Sequence, residues 1–366
     1  MRDALRKANR IVVKIGTNLL ARDGGLDVEA MGRFCDQVAS LLQAGKQVLL
    51  VSSGAIGMGA MELGIESRVT EIRMRQACAA IGQPLLMHQY RECFADHGVT
   101  IAQVLITRYV LNNRRTYLNL QASVETLLSL NVVPIFNEND SIAVDEINLA
   151  FGDNDRLSAM VASKIDADLL IILTDIDGLY DGDPKNDPHA RRIAVVPKIT
   201  DEVFSWAGTP GSTFSTGGMK TKLLAAEIAA SAGCSIVLAH GNEKNVLPRI
   251  CEGEDIGTLF LAGKRLSARN RWILNSAPRG TIWIDEGAVS ALRRHKSLLP
   301  PGIVGVEGFF DSGEVVAIND IAKAVTAFDS EELRKLMGHH TADITSIIGS
   351  KRRDEVSLPE DIVFLD

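Results

Sequence analysis

The chain has 366 residues and a formal net charge of −7, with 46% apolar and 23% charged residues. That length exceeds what a single core usually fills, so two domains are expected, and the composition excludes a disordered or low-complexity chain. The negative charge excludes a general attraction to nucleic acid or to an anionic membrane, which leaves small-molecule chemistry. The five cysteines, Cys35, Cys78, Cys93, Cys234 and Cys251, form no CxxC pair and no zinc spacing, so they are expected as reduced, buried thiols. The first sixteen residues, MRDALRKANRIVVKIG, lack a secretory apolar region, and no apolar run reaches the ~18 residues of a membrane helix. A cytoplasmic location is expected.

In chain order, IVVKI (11–15) predicts a first strand, followed by a helix near 28–44, a strand QVLLV (47–51) and helices through about 90. VTIAQVLI (99–106), NVVPIF (131–136), DLLIILT (168–174) and CSIVLA (234–239) are further apolar runs separated by helix-length segments. Fully buried parallel strands read as continuous apolar runs, so the predicted fold class is α/β, a mostly parallel sheet sandwiched by helices over residues 1–262. In such sheets ligands bind beyond the carboxyl ends of the strands. From 263 to 278 a basic, helix-poor stretch, GKRLSARNRW and its continuation, reads as a solvated linker. Beyond it GTIWIDEGAVSAL (280–292), LLPPGIVGVEGFFDSGEVVAI (298–318) and KAVTAF (323–328) predict a small β-rich domain over 279–357.

Polar residues crowd the strand-to-helix junctions of the first domain. In VVKIGTN (12–18), Lys14 ends an apolar strand, where it either snorkels to solvent or meets phosphate oxygens. VSSGAIGMG (51–59) opens a helix after a buried strand, and its exposed N–H groups suit an anion. GxGxxG fails there because Glu62 occupies the third glycine position. NENDSIAVDE (137–146) and FGDNDRLSA (151–159) are dense in Asn and Asp. Asp153 and Asn154 can cap a helix, or they can receive the ammonium and carboxylate of an amino acid. LTDIDGLYDGDP (173–184) is either a bare turn or the lining of a base and ribose. TGGMKTK (216–222) is either a surface loop or a phosphate cradle, since its glycines free backbone N–H groups and a lysine near a helix start adds charge. No Walker A loop is present.

In this order, KxGT, SSGAI, NEND, GDND, TDxxGLY and TGGMxTK resemble the amino acid kinase family, and within it the members that phosphorylate the side-chain carboxylate of glutamate. The resemblance spans about residues 8–262, and the tail, with GHHTADITSIIG (338–349), is similar to the PUA domain that bacterial members often carry. It implies that Lys14 and Lys222 contact the transferring phosphoryl group and that Asp155 organises them. Ser53, Asp140 and Asn154 would hold L-glutamate. Lys14, Thr174 and Asp175, with the loop Thr216, Gly217, Gly218, Met219, Lys220, Thr221 and Lys222, would contact ATP. Ser215 stands where relatives often have another glycine, which leaves the loop's conformation open. The resemblance also implies Mg2+ with the ATP, a homo-oligomer, feedback inhibition by proline at the head of proline biosynthesis, and handover of an acyl phosphate to glutamyl phosphate reductase.

A glutamate carboxylate has a solution pKa near ~4.3, so the nucleophile is ionised at neutral pH and needs no general base. Alignment and cations around the phosphoryl oxygens carry the rate, with Mg2+ bridging the nucleotide phosphates. Two alternatives stay open. One is a sibling kinase acting on aspartate, N-acetylglutamate, carbamate or a nucleoside monophosphate. The other is an RNA-binding protein acting through its PUA domain. Residues 279–355 carry slightly more acidic than basic side chains, so strong RNA binding is not expected.

Overall fold

The computed structural model describes residues 1–22, 25–67, 69–142, 154–184, 187, 189–207, 218–349 and 353–365. They fall into two units, Met1–Val110 with Thr116–Arg265, and Leu111–Arg115 with Leu266–Asp366.

The first unit is built on an eight-stranded sheet. Its strands are β1 (Arg10–Ile15), β2 (Gln47–Val51), β3 (Ile101–Ile106), β4 (Val133–Glu138), β5 (Leu169–Thr174), β6 (Val195–Val196), β7 (Ser235–His240) and β8 (Thr258–Phe260). Across the sheet they run β3-β4-β2-β1-β5-β7-β8-β6. The first six positions are parallel, while β8 runs antiparallel to β7 and parallel to β6. The apolar runs read from the sequence become these strands because both sheet faces are covered, so β4 and β5 are buried along their whole length. The short strands β6 and β8 carry no such run, and the sequence reading does not contain them.

Side chains alternate along β1. Ile11, Val13 and Ile15 join one core with Leu50, Ile135, Leu169, Ile171 and Leu173, against α1 (Val28–Gln43) and α3 (Ile72–Ala95). Lys14 therefore projects to the opposite face, where α4 (Asn154–Lys164) packs on β1 and β5 and also against α5 (Met219–Ser231). The chain moves from β1 to β2 on one side and later to β5 on the other. The carboxyl ends of β1, β2, β4 and β5 thus meet at a point where strand order reverses.

Asp27 starts α1 by accepting a hydrogen bond from the Ala30 N–H at 2.8 Å. α2 (Ala55–Glu62) begins directly after β2, and the tight turn is made by Gly54 at φ 107°. α2 and α3 touch backbone to backbone: a Cβ on Gly59 would lie 1.8 Å from the Cys78 carbonyl oxygen, and one on Gly82 would lie 1.9 Å from that of Ala55. Gly59 therefore serves helix packing and offers no N–H to an anion.

The second unit holds a five-stranded sheet, with β9 (Gly280–Ile284), β10 (Ile303–Gly308), β11 (Val315–Ile318), β12 (Ala322–Val325) and β13 (Ile362–Phe364) in the order β10-β9-β11-β12-β13. Its separate core includes Ile282, Val316, Ile318, Phe328 and Leu333. Two sequence expectations change here. The stretch expected to be helix-poor contains α6 (Ala268–Asn275), which Ser267 caps from its Oγ and whose Trp272 is buried. The Lys323 ammonium on β12 donates to the carbonyls of Leu274 and Ser276 at 2.6 and 2.9 Å, closing the helix's C-terminal end. Within 280–292, only the first five residues are strand; Glu286–Arg293 form α7, capped by Asp285. α8 (Ser330–Leu336) carries a full capping box between Asp329 and Glu332.

Candidate active site

Three charged side chains from distant parts of the chain meet above the carboxyl ends of β1 and β5. The Lys14 ammonium is 2.6 Å from Asp155 Oδ1, and the Lys222 ammonium is 3.0 Å from Asp155 Oδ2. Asp155 is fully buried, and each lysine is only 7% exposed. Asp155 sits in the first turn of α4, where the helix dipole favours a negative charge, and Lys222 lies in the first turn of α5. Burial alone would push the Asp155 carboxyl upward, but the ammonium groups of Lys14 and Lys222 outweigh it and hold the carboxyl below its ordinary range. Asp155 is thus a buried anion shared by two cations that would otherwise repel each other.

These groups line a cleft of about 350 Å³, within the range of small-molecule sites. At one end the backbone turn after β2 supplies Ser53 and Gly54, with Asn137, Glu138, Asp140 and Asn154 around them. Asn154 Nδ2 donates to the Ser52 carbonyl at 2.5 Å and to Ser53 Oγ at 2.8 Å, so it ties the start of α4 to the turn after β2. Asn137 Nδ2 donates to Gln83 Oε1 at 2.8 Å, and Ser52 Oγ lies 2.8 Å from the buried Tyr90 hydroxyl. The floor at this end is a network of amides and hydroxyls braced against α3.

At the other end, Thr174 closes β5 and donates from Oγ1 to Asp175 Oδ1 at 3.0 Å, while Asn18 Nδ2 donates to Asp175 Oδ2 at 3.0 Å. Desolvation would raise the Asp175 carboxyl, but the Asn18 and Thr174 hydrogen bonds together with its own backbone N–H keep it below the ordinary carboxylate range. Of the glycine-rich segment, Thr216 and Gly217 lie outside the described residues, as do Asp153 and Ser215. Gly218 stands at the N-cap of α5, where its carbonyl accepts from Thr221 Oγ1 at 2.7 Å. Among the described residues Lys222 alone of this segment lines the cleft. Lys220 is exposed, and Gly218, Met219 and Thr221 are not part of the lining.

The structure therefore brings together Lys14, Ser53, Asp140, Asn154, Asp155, Thr174, Asp175 and Lys222. Sequence reasoning missed Asn18, Arg75, Asn137 and Glu138, which also line the cleft. Asn18, Asn137 and Glu138 fall inside segments whose polar density was the signal. Arg75 lies on a long helix with no motif around it, and only the packing of that helix reveals it. Among the described residues no group of three or more His, Cys, Asp or Glu is placed to hold a metal ion, and no helix is long and apolar enough to cross a membrane.

Comparison with known proteins agrees with this geometry. Residues 9–240 match the model of the amino acid kinase family, and residues 280–348 match that of the PUA domain. A Methanosarcina mazei protein named glutamate 5-kinase is 46% identical over 99% of this chain and 97% of its own length. A protein of the same name from Geobacter sulfurreducens is 45% identical over 99% of both chains. A third, from Caldanaerobacter subterraneus, is 45% identical over 98% of both. The chain is a member of the amino acid kinase family, carries a C-terminal PUA domain, and groups with relatives named glutamate 5-kinase.

Proposed function

We propose that the chain transfers the γ-phosphoryl group of MgATP to the side-chain carboxylate of L-glutamate, giving L-glutamyl 5-phosphate. The observation that carries this is the buried Asp155 carboxylate between Lys14 and Lys222, at 2.6 and 3.0 Å, in a cleft with Ser53 and Asn154 toward one end and Thr174 and Asp175 toward the other. Lys14 and Lys222 converge on the phosphoryl group in flight, and Asp155 holds them at fixed positions before the substrates arrive. Ser53, Asp140 and Asn154 orient glutamate, and Thr174 and Asp175 sit beside the nucleotide. No side chain removes a proton, because the glutamate carboxylate is already ionised at neutral pH. Mg2+ enters with the nucleotide, since it favours phosphate oxygens and waters over a dedicated protein cage.

The relatives' shared name and full-length similarity support glutamate as acceptor over aspartate, N-acetylglutamate, carbamate or a nucleoside monophosphate. From the resemblance of its motifs, the reading extends to a cytoplasmic enzyme at the head of proline biosynthesis, inhibited by proline, working as a homo-oligomer and passing its labile acyl phosphate to glutamyl phosphate reductase. The near-balanced charge of the PUA region favours no strong RNA binding. The test is an ATP-dependent hydroxamate assay, in which hydroxylamine traps the acyl phosphate, run with each candidate acceptor and with and without proline. Hydroxamate formed from glutamate, and suppressed by proline, is the expected result. Turnover of another acceptor in preference to glutamate would refute the assignment.

A further inference from the structure

Glutamate carries two carboxylates and one ammonium, and the cleft must tell its two ends apart. Among the described residues the cations on the cleft wall are Lys14, Lys222 and Arg75. Lys14 and Lys222 stand together at Asp155, at the phosphoryl end of the cleft. We infer that Arg75 binds the α-carboxylate of the acceptor and is the specificity-determining residue for an α-amino acid, an inference that rests on the glutamate reading above.

The position of Arg75 follows from helix packing. On α3, Arg75, Cys78, Gly82 and Leu86 recur at helical spacing and share one face. Cys78 and Gly82 are the points where α3 meets the backbone of α2, because a Cβ on Gly59 would strike Cys78 and one on Gly82 would strike Ala55. Arg75 lies one turn before Cys78 on that face. Because α3 runs antiparallel to α2, this carries it toward the C-terminal half of α2, and its side chain lines the cleft together with Ile56 and Gly57. Ile56, Gly57 and Arg75 line a second pocket as well, whose other residues, from Ala60 to Val69, belong to α2 and the segment after it. None of Lys14, Asp155, Thr174, Asp175 or Lys222 reaches that pocket. Arg75 therefore marks the end of the cleft away from the phosphoryl chemistry, and Glu138 and Asp140, which also line the cleft, supply carboxylates suited to an ammonium.

The choice of side chain fits the task. A guanidinium offers a planar fork that matches a carboxylate in two parallel hydrogen bonds and keeps its charge throughout the working pH range. Arg75 is half-buried, so a carboxylate that meets it leaves water and gains more than it would on an open surface. The tight α2–α3 contact holds the helix that carries Arg75 at a fixed distance from the Ser53 turn. The reacting carboxylate at Lys14 and Lys222 and the α-carboxylate at Arg75 then define a two-point fit that an acceptor lacking the second acid cannot make.

The test uses the full chain with MgATP and two variants, Arg75→Lys and Arg75→Ala. The expected result is a rise in the glutamate KM of about 10- to 100-fold for Arg75→Ala and a smaller rise for Arg75→Lys, with the ATP KM unchanged and kcat within a few-fold. Added guanidinium ion at low concentration should recover part of the loss in Arg75→Ala and none in the unsubstituted chain. A fall in kcat at constant glutamate KM, or an ATP KM that rises in step with it, overturns the inference. Should both variants fail to fold, the unsubstituted chain decides: 4-aminobutyrate, which lacks the α-carboxylate, should show a kcat/KM at least tenfold below glutamate, and parity overturns it. An unsubstituted chain inert toward glutamate would instead remove the acceptor assignment.

Discussion

Replacing Asp155 by asparagine keeps the shape of the site and removes the one charge that reconciles its two lysines. Both ammonium groups would then face each other across a neutral amide, with each lysine only 7% exposed. Breaking a buried ion pair by removing one partner costs about 3–5 kcal/mol, because the remaining charge stays buried without compensation. Here one anion serves two cations, at 2.6 and 3.0 Å, so the cost belongs at the upper part of that range. At about 2–4 °C per kcal/mol for a unit of this size, the Tm of Asp155→Asn should fall by about 8–20 °C. A phosphate-bearing ligand brings its own negative charge to the lysines, so saturating MgATP or MgADP should recover much of that loss. Thermal unfolding of both proteins with and without nucleotide measures the difference. A Tm equal to that of the unsubstituted protein, or a deficit that nucleotide leaves untouched, would refute the electrostatic account. The pH dependence carries the same sign. Burial would raise the Asp155 carboxyl, but the two lysines hold it below its ordinary value, so its stabilisation is fully present above about pH 4 and fades as pH falls through the folded value. The gap between the two proteins should narrow in acid.

Lys14→Ala and Lys222→Ala should each lower kcat by at least about 100-fold in a folded protein, as expected for groups that meet developing charge; circular dichroism confirms the fold and the hydroxamate assay reads the rate. Gly82→Ala would place a methyl group 1.9 Å from the Ala55 carbonyl oxygen, so it should destabilise the protein by about 1–3 kcal/mol or more in denaturant titration and raise the glutamate KM by shifting the turn at Ser53. Burial pushes the Cys251 thiol up to about 11 and moves Cys35 and Cys234 in the same direction. An aromatic disulfide reagent at neutral pH should therefore label the half-exposed Cys93 first, while all five thiols react in denaturant. Rapid native labelling of Cys251 would contradict that burial.

The strands of the first unit are legible because a parallel sheet covered on both faces leaves a plain mark, a continuous apolar run such as 169–173. β6 and β8 are not, since they are two and three residues long and owe their existence to pairing with each other and with β7. α6 hides behind its charges: four Lys or Arg in GKRLSARNRW suggest a solvated linker, while the Ser267 cap and the buried Trp272 decide for a helix. Lys14 and Lys222 are each ambiguous alone and become a pair through the order of motifs. The structure adds their meeting at Asp155. For Asn154 the sequence leaves cap and ligand in balance, and in the fold its amide ties the start of α4 to the turn after β2. Arg75 leaves no local mark, because its place in the cleft depends on two glycines that let one helix lie against another.

The central position of β1 has a consequence for how the enzyme comes into being. Lys14 precedes both of its partners in the chain, yet its strand is flanked by β2 on one side and by β5, far later in sequence, on the other. Its acid partner arrives at residue 155 and the second lysine at residue 222. A nascent chain that stops before Lys222 cannot assemble the triad, and sequence separations of this size close slowly. Under the proposed function, competence toward the nucleotide therefore waits for both later segments, and nucleotide binding would report that the sheet has closed around β1.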